Sequence, residues 1–324
     1  MEDGVCREVS GFSSRLAWSE LRSCRRPALW RRSTTANRCL RTTDRLAIGF
    51  RSRVVGGLRE LGARYRRAGD TNAAERAYRR ALRLAERGLP HDAIPTARVR
   101  NDLAVLLKYT GQFEEARELY EQALTVTGAK LGGDHSEVAT ILHNVGGLAH
   151  AAGRPREGEW HAREALRVRQ QALGPDHPAT AADGAALAGI LLETGREDEA
   201  GTLLEHALAV FERSYGADHP EVGVTLGSLG AIDARRGDLK GAEARLRRAL
   251  AVKEQHLGRR HVELVPTLGT LGVICRRQGR PDEARALFER GLAIGDGRVA
   301  SDHPQVATLR ANLAKLDAVG VGAA

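Results

Sequence analysis

Along most of the chain, small and apolar residues recur with a period of 42 residues. A leucine follows each of six evenly spaced glycines by thirteen positions. Small residues stand seven positions before each of these glycines, and five and twelve positions after it. Self-similarity at one fixed period over six units is typical of a repeat architecture. The six glycines are Gly69, Gly111, Gly153, Gly195, Gly237 and Gly279.

Each unit predicts two helices joined by a tight turn. Glycine can take the left-handed conformation that ends a helix, and Pro155 or Asp70 just after the turn favours the start of the next helix. The small residues let the two helices pack closely, and the leucines fill the space between units. First helices are predicted at 54–68, 95–110, 136–152, 178–194, 220–236 and 262–278. Second helices are predicted at 70–88, 112–130, 154–172, 196–214, 238–256 and 280–296.

A second phrase, Asp-His-Pro or a close variant, recurs between the units. Aspartate ahead of an apolar run, with glutamate or glutamine three residues later, predicts that the aspartate caps the next helix and that the histidine lies in the linker. A metal ion needs several ligands at once, whereas one histidine per unit places neighbours about 8–10 Å apart. We therefore predict a structural role and no metal site for His135, His177, His219, His261 and His303.

Composition divides the chain into three parts. Residues 1–50 carry ten arginines against five acidic residues, which accounts for +5 of the net charge of +9. They share no register with the repeats, which predicts a disordered tail or a mis-assigned start. Residues 53–317 form the predicted repeat array, closed by a helix at 304–317. Residues 318–324 are predicted to be a disordered C-terminal tail.

The aromatic residues and Cys275 are predicted to lie in the core. Tyr78, Tyr120 and Phe288 share the position nine residues after a turn glycine, which is a packing position. Cys275 aligns with leucines in other units and is expected to be a small buried hydrophobe. A core position is also the first expectation for Tyr109, Trp160 and Phe211.

Several classes of protein lack support in the sequence. No run of about 18 apolar residues exists, so we predict no membrane span and a cytoplasmic protein. The four cysteines form no CxxC pair, and no phosphate loop, nucleophile elbow or HExxH motif is present. We therefore predict no catalytic residue, no cofactor, no metal ligand and no small-molecule substrate.

The repeat resembles the tetratricopeptide repeat (TPR), and its 42-residue period is similar to the kinesin-light-chain-like form. The resemblance rests on the small–small–Gly–Ala–Ala-Leu frame and on stretches such as 101–124 and 207–222. It implies an all-α, TPR-type helical-hairpin solenoid, a right-handed superhelix of about six repeats plus a C-terminal capping helix. It also implies a non-enzymatic scaffold that binds a partner peptide or helix in a concave groove lined by the first helices.

The positions that face this implied groove are partly basic, which predicts an acidic peptide or helix as the partner. Asn101 and Asn144 are placed to hydrogen-bond its backbone. A cation in the last turn of a helix also stabilises that helix without a partner, so each arginine has two explanations. The predicted groove residues are Arg59, Arg66, Arg67, Asn101, Lys108, Tyr109, His143, Asn144, His150, Arg235, Arg276 and Arg277.

Two other functions stay open on the sequence. The Arg-rich tail and the basic groove ends are compatible with a nucleic-acid-associated protein, whose binding would weaken steeply as salt rises. Similar arrays also accompany signalling NTPases. This chain would then be the sensor or partner subunit of an NTPase on a separate chain, since it carries no phosphate loop of its own.

Overall fold

The computed structural model describes residues 33–295 and 304–321. The chain divides into two compact units, residues 1–50 and 51–324, and the first is described only where residues 33–50 begin a helix. All regular structure in the described part is helical, which confirms the all-α prediction. None of the described helices has an apolar stretch long enough to span a membrane.

The helices alternate between two roles in successive hairpins, and α13 (Pro304–Val321) follows the last hairpin. The first helices of the hairpins are α1 (Ser33–Arg67), α3 (Ile94–Tyr109), α5 (Ser136–Ala151), α7 (Pro178–Glu193), α9 (Pro220–Arg236) and α11 (Val265–Arg277). The second helices are α2 (Thr71–Gly88), α4 (Phe113–Leu131), α6 (Pro155–Leu173), α8 (Glu197–Tyr215), α10 (Leu239–Leu257) and α12 (Pro281–Gly295).

Most predicted helix ends lie within one or two residues of the observed ones, and the differences are at the two ends of the array. Helix α1 begins at Ser33, so the described part of the predicted tail, residues 33–50, is helical. Residues Val262–Leu264 form a 3₁₀ turn ahead of α11, because Pro266 has no N–H to donate to the carbonyl of Val262. Helix α13 continues past residue 317, and the remainder of both predicted tails lies outside the described residues.

The hairpins stack in chain order into a solenoid. Each second helix from α2 onward packs on its own first helix and on the first helix of the next hairpin. Consecutive first helices also contact one another, as α3 does α5, α5 does α7 and α9 does α11. The backbones of consecutive second helices in the described part do not approach as closely, and long charged side chains bridge them instead. This difference places the first helices on the inner side of the stack.

Close packing inside the hairpins depends on glycine opposite a large side chain. Tyr78 is buried against Gly62, where an added Cβ would lie 2.6 Å from the ring. Gly272 stands against Phe288 in the same way, and an added Cβ there would collide with the ring. Five of the residues predicted for the core are buried, which confirms the prediction for them. They are Tyr78, Tyr120, Phe211, Cys275 and Phe288.

The core prediction is wrong for Tyr109 and Trp160, whose exposed fractions are 71% and 63%. Tyr109 is the last residue of α3, and its exposed ring lies under the Lys108 ammonium. Trp160 lies on the outward side of α6, with its ring edge-on to His161 at a centroid distance of 4.9 Å. Hydrophobicity alone did not indicate which side of a helix faces its neighbours.

The recurring histidines are themselves the helix caps, so the prediction that the preceding aspartates cap these helices is wrong. His177 Nδ1 accepts the backbone N–H of Ala179 at 3.1 Å. A residue before proline is held in the extended conformation that a cap requires, and His177 directly precedes Pro178. Asp176 bonds instead to Arg213 of the following second helix at 3.1 Å. The histidines that cap in this way are His135, His177, His219 and His261, while His303 lies outside the described residues.

Replacing His177 by alanine is expected to destabilise the protein by about 0.5–2 kcal/mol, because the N–H of Ala179 loses its acceptor. His177→Asn should lose less, since asparagine is a good cap. Asp176→Ala serves as the control and should cost less than about 1 kcal/mol, as it removes only exposed ion pairs. Urea denaturation followed by circular dichroism measures all three. A larger loss for Asp176→Ala than for His177→Ala would contradict the assignment of the cap.

A second set of glycines escaped the sequence analysis, although it follows the same 42-residue period. These glycines end the second helices rather than the first. Gly216, at φ 91° and ψ 163°, adopts a backbone conformation that other residues take only with strain. The glycine that stands three residues before each capping histidine therefore ends one helix, and the histidine starts the next. The set comprises Gly132, Gly174, Gly216 and Gly258.

Candidate interaction surface on the first helices

The surface formed side by side by α1, α3, α5, α7, α9 and α11 is called here the first-helix groove. Two cavities open along it at junctions of successive first helices, and a third continues the row where α11 meets α13. The first, of about 230 Å³, lies between α1, α3 and α5 and is lined by Arg59, Asn101 and Glu137 among others. The second, of about 510 Å³, lies between α7, α9 and α11. The third, of about 310 Å³, lies between α11 and α13.

The N-terminal half of the groove contains a chain of hydrogen bonds that crosses three hairpins. Arg59 Nε lies 2.6 Å from Asp102 Oδ2, and Asn101 Nδ2 donates to Asp102 Oδ1 at 3.2 Å. Asn144 Nδ2 then donates to Asn101 Oδ1 at 2.9 Å. Two amides predicted to meet a ligand are thus hydrogen-bonded to each other, and Arg59 is already neutralised.

A buried ion pair continues this polar chain in the middle of the solenoid. Arg169 of α6 donates from Nε to Asp183 Oδ2 at 2.8 Å, and Asp183 is only 3% exposed. His143 Nδ1 lies 2.8 Å from the other oxygen of Asp183. His143 was among the predicted groove residues, whereas Arg169 and Asp183 were not. The sequence marks both residues, because each is charged at a repeat position where other units carry uncharged residues such as Ala85 and Ile141.

Most of the other predicted groove cations are also engaged. Arg67 lies 3.0 Å from Glu60, and His150 Nε2 lies 2.8 Å from Glu193. The remaining contacts are those of Arg235 with Glu197 at 2.8 Å, of Arg277 with the carbonyl of Ala234 at 2.8 Å, and of Arg66 with the hydroxyl of Tyr78. Arg276 is exposed, and no carboxylate of the described residues lies within ion-pair distance of it.

Two lysines in the groove have no carboxylate of the described residues within ion-pair distance. Lys108 Nζ lies 5.0 Å from the centroid of the Tyr109 ring, over the bare backbone of Gly147. Lys253 reaches the groove from α10, where its Nζ donates to Thr267 Oγ1 at 3.1 Å. Burial lowers the pKa of both ammonium groups, and Glu263 partly offsets this at Lys253.

Lys253 was missed by the sequence analysis, although an internal comparison could have found it. It occupies the register of Arg169, and Thr267 occupies that of Asp183. One hairpin junction therefore holds a buried cation bonded to a carboxylate, and another holds a cation that is hydrogen-bonded to a hydroxyl instead. An unneutralised, partly buried ammonium is a natural receptor for an anionic group.

On the second helices, three arginines spaced 84 residues apart each bond to one glutamate of their own helix and to one of the next hairpin. These contacts, called clamps here, join the first hairpin to the second, the third to the fourth and the fifth to the sixth. Arg163, for example, lies 2.9 Å from Glu159 in its own helix and 2.6 Å from Glu199 in the next hairpin. The equivalent clamps join Arg79 to Glu75 and Glu115, and Arg247 to Glu243 and Glu283.

Glu243, Glu283 and the Cys275 thiol lie close enough together to resemble a metal-binding cluster. Both carboxylates are, however, bonded to Arg280, each at 2.6 Å. The equivalent clamps carry a leucine in the register of Cys275, so the same pair of glutamates recurs where no thiol ligand exists. The arrangement is explained by ion pairing between hairpins.

Hydrogen bonds from Arg280 and Arg247 lower the pKa of Glu243 to about 2. The pKa of glutamate in an unfolded chain is about 4.3. The clamp therefore stabilises the fold fully above that pH, and its contribution is lost as the pH falls toward 2. In Arg280→Gln we expect the pKa of Glu243 to rise toward the ordinary value. Carboxyl-detected NMR titration measures this shift, and an unchanged midpoint would contradict the clamp.

Solved structures share this fold at low sequence identity. BtubC (BKLC) from P. vanneervenii matches with a TM-score of 0.55 and 21% identity, over 80% of this chain and 95% of that one. A kinesin light chain-like protein of nearly identical TPR-like repeats from Podosopora anserina matches with 0.52 and 24%, over 61% and 93%. The apo quorum sensor NprR from B. thuringiensis matches with 0.61 and 14%, over 83% and 70%.

The family itself follows from the sequence match. No curated protein sequence matches the chain. The family model described as the tetratricopeptide repeat matches residues 57–127, 95–159, 182–255, 235–297 and 263–318. These overlapping matches cover well over half of the chain and agree with the stacked hairpins and with the kinesin light chain-like neighbours. The chain belongs to the tetratricopeptide repeat family.

Proposed function

We propose that this chain is a non-enzymatic protein-interaction scaffold that binds a peptide or helix of a partner protein in the first-helix groove. The observation that carries the proposal is the row of cavities along this groove, with volumes of about 230, 510 and 310 Å³. The tetratricopeptide fold commonly serves protein–protein interaction, which supports the same conclusion.

The chemistry of the groove favours an acidic partner segment that also carries apolar side chains. The largest of these cavities combines Leu192, Val224 and Pro266 with the ammonium of Lys253. Val224 is 52% exposed, so its apolar surface is available for a ligand. A carboxylate placed near Lys253 would relieve the cost of holding an ammonium partly buried without an opposite charge. Lys108 and Arg276 offer the same attraction elsewhere in the groove.

The test compares two charge-removing triple variants in a pull-down from cells of the source organism. The groove variant is Lys108→Met, Lys253→Met and Arg276→Gln, which keeps the apolar stems of the lysines. The control variant is Arg156→Gln, Lys240→Met and Arg213→Gln, which removes three exposed cations of the second helices, outside the groove. We expect the groove variant to retain about ten-fold less of the specific partners than the control does.

Equal recovery of the same proteins by the wild type and both variants would overturn the acidic-partner proposal. A peptide array made from the recovered partners then locates the bound segment. Binding that follows acidic residues alone, with no dependence on neighbouring apolar side chains, would contradict the role given to the cavity beside Lys253.

A further inference from the structure

A second surface lies at the N-terminal end of the solenoid, on the side of α1 and α2 that faces away from the next hairpin. It is called here the N-terminal end face. A groove of about 470 Å³ opens between the two helices, and its apolar lining includes Leu58, Leu61, Tyr65 and Ala77. Leu61 is 39% exposed and Tyr65 is 37% exposed. Large apolar side chains are therefore uncovered on this face.

A row of arginines borders the groove along α2. They are spaced four, three and four residues apart, so they follow one side of the helix over about 16 Å. All four are exposed, and no carboxylate of the described residues lies within ion-pair distance of any of them. The row consists of Arg76, Arg80, Arg83 and Arg87.

The internal repeat shows what this side of a hairpin binds when it is covered. Arg80 stands eleven residues after its turn glycine, and the residues in that register of two later hairpins are also arginines. Arg248 of α10 lies 2.6 Å from Glu212, on the second helix of the preceding hairpin. Arg290 of α12 lies 2.5 Å from Glu254, again on the preceding second helix. Where a later hairpin carries arginine in this register, the arginine therefore faces a glutamate one hairpin earlier.

The apolar residues of the N-terminal end face also have counterparts at the same repeat position of a later hairpin. Leu61 occupies the register of Leu229 in α9. Leu229 is buried in a cluster with Leu187 and Leu204 of the preceding hairpin. In the described part of the chain, no hairpin precedes α1 and α2 to cover Leu61 or to offer Arg80 a glutamate. The end face thus presents one half of a junction that is complete elsewhere in the molecule.

We propose that the N-terminal end face docks an acidic amphipathic helix of a partner protein. Its apolar side covers Leu61 and Tyr65, and its glutamates or aspartates meet Arg80 and Arg83. A nucleic acid would satisfy the arginines, but its phosphate backbone has no apolar surface to cover the groove. A second copy of this chain matches poorly through α13, because the one acidic residue of that helix, Asp317, is already paired with Arg285 at 2.5 Å. This surface is separate from the first-helix groove.

The experiment uses a labelled synthetic peptide of the α8 sequence, Glu197–Tyr215, as the probe. This helix covers the equivalent side of the fifth hairpin, where its Glu212 meets Arg248. Fluorescence anisotropy with the full chain should show saturable binding. We expect Arg80→Glu to weaken it by about ten-fold. The matched control is Arg156→Glu, an exposed arginine on α6 that also lacks a described carboxylate partner.

A charge swap gives the decisive comparison. A probe carrying Glu212→Arg should bind the Arg80→Glu variant more tightly than the unmodified probe does. The groove triple variant, with Lys108→Met, Lys253→Met and Arg276→Gln, should bind the probe like the wild type. Failure of the end-face proposal and failure of the groove proposal are therefore distinguishable.

Three outcomes would overturn the end-face proposal. One is the absence of probe binding, or equal weakening by Arg80→Glu and Arg156→Glu. Another is Arg80-dependent binding of a single-stranded oligonucleotide without binding of the peptide, which would assign the face to nucleic acid. The third is Arg80-dependent self-association in sedimentation velocity, which would assign the face to a second copy of the chain.

Discussion

Replacing Arg169 by methionine is expected to destabilise the middle of the solenoid by about 3–5 kcal/mol. The change leaves the Asp183 carboxylate, only 3% exposed, without the guanidinium that lies 2.8 Å from it. His143 touches the other carboxylate oxygen but sits at the groove surface. Urea denaturation measures the loss, and hydrogen exchange should place it in α5, α6 and α7.

Two companion variants test whether the loss comes from the unpaired charge. Arg169→Met combined with Asp183→Leu should recover most of the lost stability, because no buried charge is then left alone. Arg163→Met removes a more exposed arginine that also bonds to two glutamates, and it should cost about 1 kcal/mol or less. Similar losses for Arg169→Met and Arg163→Met would show that burial of the pair has no energetic importance.

Phe288→Ala is expected to cost about 3–5 kcal/mol, because the ring is fully buried and its removal leaves a cavity in the last hairpin. Phe288→Leu should cost clearly less, since it fills part of that space. Tyr109→Ala is the matched control, as the Tyr109 ring is 71% exposed and should contribute little. Thermal and urea denaturation of the three variants measure the difference, and an equal loss for Tyr109→Ala would contradict the packing.

The glycine opposite this ring provides a coupling test. Gly272→Ala alone should cost about 1–3 kcal/mol, because the added Cβ collides with Phe288. In the presence of Phe288→Leu the same change should cost much less. A double-mutant cycle therefore yields a coupling energy for the pair. If the losses of stability in the two single variants simply add, the two helices adjust freely around the added Cβ, which would contradict the close contact.

The helices and their order could be predicted because their signals are local. Turn glycines and the prolines at helix starts act within a few positions along the chain, and the small residues at crossings act within one hairpin, as Gly62 does against Tyr78. Six repetitions of each signal placed most helix ends within one or two residues of those observed. The caps at His177 and His219 were predictable for the same reason, since each directly precedes a proline and is held extended, although the aspartate was the expected cap.

Which charged side chains form ion pairs could not be predicted in that way. Arg235 and Glu197 are 38 residues apart in sequence, yet lie 2.8 Å apart in the structure. The sequence identified Arg235 as a groove cation, but only the stacking of hairpins brings a carboxylate to it. The same stacking leaves Lys253 beside a threonine instead of a carboxylate, a distinction that no single repeat shows.

By itself, the sequence determined the repeat length, the helical hairpins and their close crossings, because each depends on residues near one another in the chain. Only the tertiary structure decided which side chains are buried, as the outward Trp160 shows, and which cations keep their charge available for a partner. Burial and charge neutralisation depend on contacts between units some 40 residues apart. Both proposed binding surfaces follow from that second kind of information.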